Sequence, residues 1–105
     1  MGSDVSDLIV RQKFSVPVSA DTVADDWRAR GYSFGRFVDP PGQEWNDFVH
    51  DVNELVMVEV GQLRMTVGDQ SFVVDEGDEV YIPKGAVHSL KNISKGVSQW
   101  LYGYD

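Results

Sequence analysis

Beyond residue 31 the chain repeats apolar and polar positions with the two-residue period of half-buried strands. The runs are Tyr32–Val38, Asn53–Val60, Gln62–Val67, Ser71–Val74, Glu79–Pro83, His88–Asn92 and Ser98–Tyr104, separated by turn residues such as Gly61, Gly68-Asp69, Gly77-Asp78 and Lys84-Gly85. Many short strands at such intervals predict a mainly all-β sandwich or barrel. Ahead of them, Ser19–Arg30 carries helix signals: a capping serine, an acid in the first turn, Val23 and Trp27 four apart, arginines near the end and Gly31 beyond. One short N-terminal helix is predicted, with Val23 and Trp27 covering a barrel end. The chain divides into an N-terminal strand and helix extension, 1–31, and a β-barrel, 32–105, expected to form one domain.

Period-two counting also places the unusual residues. Glu54 shares a face with Val56, Val58 and Val60, while Leu55, Met57 and Glu59 take the other. If the valine face is interior, Glu54 requires a partner there, because an unpaired buried carboxylate is costly. A metal ion is one such partner and Arg64 is another. The same counting groups His88 with Leu90 and Asn92, and Trp100 with Tyr102 and Tyr104.

Composition narrows the chemistry. A chain of 105 residues with 42% apolar content suits one packed core. Seventeen acidic against nine basic residues give a net charge of −8, a field that repels nucleic acid and anionic membranes and attracts cations. Without cysteine, any metal must be held by nitrogen and oxygen. The first residues show no basic segment followed by a long apolar run, so a cytoplasmic location is expected, with Met1 to Ser3 read as a cloning remnant. Nucleotide-binding loops, nucleophile elbows, H-E-x-x-H helices and EF-hand loops are missing. Asp25-Asp26 and the acids bracketing Gly77 read as solvated, solubilising groups.

Two stretches carry a more specific signal. Gly77 to Asn92 reads G-x5-P-x-G-x2-H-x3-N, with Gly77, Pro83, Gly85, His88 and Asn92 at the fixed places. Upstream, Gly42, His50, Glu54 and Gly61 keep the spacing of a second pattern, G-x5-H-x-H-x3-4-E-x6-G, whose first histidine position holds Phe48. In this order the two stretches resemble the paired motifs of the cupin superfamily, small single-domain members in particular. The resemblance implies a double-stranded antiparallel β-barrel, jelly-roll-like, and a metal site formed by His50, Glu54 and His88. Two imidazoles and a carboxylate suit a divalent transition metal such as Fe, Mn, Ni or Zn and leave coordination positions open. Asp47 and Asp51 are out of parity with Phe48 and His50, so on a regular strand they face outward.

Aromatic candidates for the walls of a small-molecule pocket are Phe48, Trp45, Tyr81, Trp100 and Tyr102. The resemblance leaves two functions open. One is a metal-dependent protein acting on a small molecule by dioxygenase-type or isomerase-type chemistry. The other is a non-enzymatic barrel that binds a small molecule or a protein without metal, the reading that Phe48 favours. Pairing through sheet edges into a homodimer is expected for such a barrel.

Overall fold

The computed structural model describes residues 7–105, so Met1 to Ser3 and the start of the extension lie outside it. Among the described residues there are nine strands and one helix. In chain order they are β1 (Ile9–Val10), α1 (Ala20–Ala29), β2 (Gly35–Asp39), β3 (Glu44–Phe48), β4 (Glu54–Val60), β5 (Gln62–Val67), β6 (Gln70–Asp75), β7 (Glu79–Ile82), β8 (His88–Asn92) and β9 (Ser98–Tyr104).

The strands form a five-stranded sheet, β1-β7-β4-β9-β2, and a four-stranded sheet, β3-β8-β5-β6. All seven strand pairings are antiparallel. The result is the expected jelly-roll-like, double-stranded architecture, with two sheets face to face instead of one continuously closed wall. Between them lie Val56, Val58, Leu63, Met65, Val74, Val80, Ile82, Leu90 and Trp100, all buried.

α1 does not cover a barrel end. Val23 and Trp27 are fully buried in a second cluster with Leu55, Met57 and Leu101, on the outer face of the five-stranded sheet. Strand β4 is therefore apolar on both faces, which explains five buried residues in succession from its start. Its far end departs from the simple alternation. The β4–β9 register shifts between Val58 and Val60, and Val60 is exposed. The helix begins at the predicted cap, where the Ser19 side chain accepts from the Thr22 backbone N–H at 3.3 Å.

Two of the acids around Gly77, Asp78 and Glu79, are structural and not solubilising, while Asp75 is exposed. Asp78 is buried and accepts from Arg11, from the Gln12 backbone N–H and from the Asp75 backbone N–H at 2.8–2.9 Å. Glu79, also buried, accepts from Trp27 Nε1 at 2.8 Å and from both terminal nitrogens of Arg30, tying α1 to β7. Gly77 itself has φ +86°, and a Cβ there would meet the Phe14 carbonyl oxygen, so the turn requires glycine.

Candidate metal centre

Each of the three motif side chains is placed by a different element. Glu54 opens β4 and pairs with Ile82 of β7 on one side and Tyr104 of β9 on the other, in the middle of the five-stranded sheet. His88 opens β8 in the opposite sheet, between Phe48 of β3 and Val67 of β5. His50 belongs to the β3–β4 connection, and its carbonyl accepts from the Gly85 N–H at 2.9 Å, which ties that connection to the turn before β8. Glu54 and His88 are buried, whereas His50 is half-buried.

Across the space between the sheets, His50 Nε2 and His88 Nε2 each stand 3.4 Å from Glu54 Oε1. One ligand-capable atom from each residue lies within 4.8 Å of the others. His88 Nδ1 is 3.1 Å from the Ala86 carbonyl oxygen. A carbonyl only accepts, so in the neutral ring the proton sits on Nδ1 and Nε2 offers a lone pair. That lone pair faces a carboxylate oxygen, itself only an acceptor. Glu54 Oε1 is buried and has no hydrogen-bond partner among the described residues. Two acceptors, the His88 lone pair and the carboxylate, thus face one another, and a proton between them, an N–H from the His50 ring or a cation placed among the three relieves the repulsion.

The electrostatics carry the same mark. Burial works against the imidazolium form of His88, but the Glu54 carboxylate and the Ala86 carbonyl outweigh it, so its pKa lies above the ordinary 6.5. Tyr104 is pushed up by burial and by the Glu54 and Tyr102 charges, so its phenol keeps its proton at neutral pH.

A cavity of about 160 Å³ opens beside the cluster, lined by His50, Glu54 and His88 together with Phe37, Trp45, Phe48, Ile82, Leu90, Trp100 and Tyr104. Trp45, Phe48 and Trp100 of the sequence-derived set line it. Tyr81 does not, because its strand neighbours Val80 and Ile82 point inward and turn it outward, where its hydroxyl donates to Asn53 Oδ1 at 3.0 Å. Tyr102 is absent from the lining too. Its ring stacks on Phe37 with centroids 4.9 Å apart and lies over Gly35, whose missing side chain leaves it room. Asp47 and Asp51 are exposed and stand outside the cluster, and Arg64 is exposed on β5. Asp47 sits at φ +59° where the β3–β8 register shifts between Trp45 and Phe48.

Four lining residues were not among the sequence candidates for the pocket: Phe37, Ile82, Leu90 and Tyr104. Alternation could have found Leu90 from His88 and Tyr104 from Trp100. Asp39 escaped altogether. This buried carboxylate accepts from Trp45 Nε1 at 2.9 Å and Trp100 Nε1 at 2.8 Å through one oxygen, Oδ2.

Facing antiparallel sheets that enclose two imidazoles and a carboxylate define a small β-sandwich with a candidate interior metal site. Residues 35–104 match the family model described as Cupin domain, and the chain belongs to that family. Similar solved structures include the cupin 2 domain-containing protein of Halorhodospira halophila, 23% identical with a TM-score of 0.66, matched over 70% of this chain and 52% of that one. An oxalate oxidase in complex with the substrate analogue glycolate is 25% identical with a TM-score of 0.65, over 71% of this chain and 42% of that one. The cupin domain of Schizosaccharomyces pombe Cnp3 is 23% identical with a TM-score of 0.65, over 70% and 51%. This chain therefore spans about half, or less, of the length of these relatives. No curated protein matches it. Among the described residues no helix is long and apolar enough to cross a membrane.

Proposed function

We propose that this chain is a small metal-dependent cupin in which His50, Glu54 and His88 hold one divalent transition metal, Fe, Mn, Ni or Zn, beside a cavity that receives a small molecule. The observation that carries this reading is the buried, unpartnered Glu54 Oε1 facing two imidazole nitrogens. When bound, the ion supplies Lewis acidity and open coordination positions, as dioxygenase-type or isomerase-type chemistry on a small molecule requires. The chain's own residues divide the remaining work. Ala86 fixes the His88 tautomer, and Phe48, at the first histidine position of the motif, puts a carbon wall beside the cluster. Tyr104, protonated at neutral pH and edge-on to His50 at 5.1 Å, offers a hydroxyl donor to an oxygen of the bound molecule. The oxalate oxidase likeness supports oxygen-containing small molecules as the ligand class. Phe48 favours a second reading, a barrel that binds a small molecule without metal.

Elemental analysis after reconstitution with Fe, Mn, Ni and Zn tests the proposal. One ion per chain is expected, lost in His50→Ala and in His88→Ala and retained in Asp47→Ala. Substoichiometric metal throughout would leave the metal-free reading in its place.

A further inference from the structure

Resting on that metal centre, we infer that the ligand is a one-ring aromatic molecule with a single anionic oxygen donor, and that Asp39 is the positioning residue behind this choice. The cavity has one polar pole, the His50–Glu54–His88 cluster with Tyr104 beside it, and otherwise presents carbon. Among the described residues no lysine, arginine, asparagine, glutamine, serine or threonine lines it.

Two of its walls are indoles, whose N–H groups would ordinarily offer donors to a polar ligand. Here both N–H groups are committed to Asp39 Oδ2, at 2.9 and 2.8 Å, and Asp39 is only 3% exposed. Asp39 lies on β2 and Trp100 on β9 of one sheet, while Trp45 lies on β3 of the other. A single carboxylate oxygen therefore pins walls from both sheets, and the indoles offer the cavity no free N–H.

Charge and size then narrow the ligand. A divalent ion with one carboxylate and two neutral imidazoles leaves one net positive charge, which one anionic donor neutralises. A small dianion such as oxalate would over-neutralise that charge, set its outward oxygens against carbon walls backed by Asp39 with Tyr104 as the one hydroxyl donor in the lining, and leave those walls without a ring. The cavity volume is about 160 Å³. Apolar cavities of about 150 Å³ accept benzene, so a single ring fits.

Calorimetry of the Mn-loaded protein with benzoate, acetate and oxalate tests the inference. Benzoate is expected to bind about tenfold or more tighter than either of the others, because only its ring meets the walls. Acetate or oxalate binding as tightly as benzoate overturns the inference while the metal centre stands. Failure to retain Mn overturns the metal centre instead. In that case metal-free protein titrated with phenol, followed by indole fluorescence, decides the walls: saturable quenching upholds the aromatic preference and its absence overturns it.

Asp39→Asn keeps an acceptor for the indoles and is expected to keep the benzoate-over-oxalate ratio. Asp39→Ala releases two N–H donors and is expected to narrow the ratio about fivefold or more. An unchanged ratio in Asp39→Ala removes Asp39 from the account. Should that variant not fold, Trp45→Arg, at a half-buried position, places a cation over the cavity and is expected to move preference toward oxalate; unchanged preference counts against the inference.

Discussion

Replacing Glu54 by glutamine separates a carboxylate kept for a metal from one kept for stability, because the two roles give opposite signs. Without metal, at a pH above the raised folded-state pKa of His88, Glu54 Oε1 is a buried acceptor that faces the His88 lone pair and lacks a hydrogen bond. Such a group costs about 1 kcal/mol or more, and glutamine removes the charge while supplying an N–H₂ that can donate to an imidazole nitrogen. Glu54→Gln is therefore expected to raise the metal-free melting temperature by about 4–8 °C. With free metal at about 100 times the parent's dissociation constant, the parent gains about 2.7 kcal/mol, equivalent to about 10–20 °C. A variant bound about 100-fold more weakly gains only about 0.4 kcal/mol under the same conditions. The melting order of the two proteins thus inverts between chelator and metal. Scanning calorimetry in each condition reads it directly. A variant less stable than the parent in chelator, together with a parent indifferent to metal, would show Glu54 to be an ordinary structural residue and refute the reasoning.

Other consequences follow from the same contacts. Phe48→His places a nitrogen at the first histidine position of the motif, beside His50 and His88 with ring centroids 6.3 Å away, and should tighten metal binding about tenfold by competitive titration. In chelator, the raised His88 pKa means that its stabilisation is complete below the unfolded value and is lost as pH rises through the folded one. Parent protein should accordingly melt lower at about pH 8.5 than at about pH 6, and His88→Gln should flatten the difference. Glu79→Gln weakens the link from β7 to Trp27 and Arg30, and should cost about 1–3 kcal/mol in denaturant unfolding without changing metal stoichiometry. Gly103→Ala would drive a Cβ against the Ser33 carbonyl and the Trp27 ring, and should cost about 1–3 kcal/mol or block folding, as judged by circular dichroism.

Local signals made much of the sandwich readable. β5 and β8 run over the residues their alternation marks, because each has one buried face and a turn at its end, and β9 does so although Leu101 buries its second face under the helix. β3 lacked that signal: Glu44–Phe48 is an edge strand in which only Trp45 is even half-buried. The meeting of His50, Glu54 and His88 follows from spacing around glycine and proline turns, a motif signal that alternation alone does not carry. Tyr81 is outward by its own parity, since counting from Val80 and Ile82 turns it away from the pocket. Asp78, Glu79 and Asp39 could not be read as buried because their partners are distant in sequence. Arg11 precedes Asp78 by 67 residues and Trp27 precedes Glu79 by 52, while Asp39 joins residues 6 and 61 positions away. Adjacent acids without visible partners look solvated.

The uneven burial of the three clustered side chains sets an order of events. Glu54 begins a strand gripped on both faces, and His88 is buried in the opposite sheet, so neither can leave without disturbing the core. His50 sits on a connecting segment, 29% exposed at its side chain, and is held at its backbone through one hydrogen bond to Gly85. An arriving ion would therefore pass His50, meet a waiting pair and be closed in by that ring last. Departure would run in reverse, so the lifetime of an ion held there would be governed at the β3–β4 connection and its latch on Gly85, with the pair behind it chiefly setting affinity.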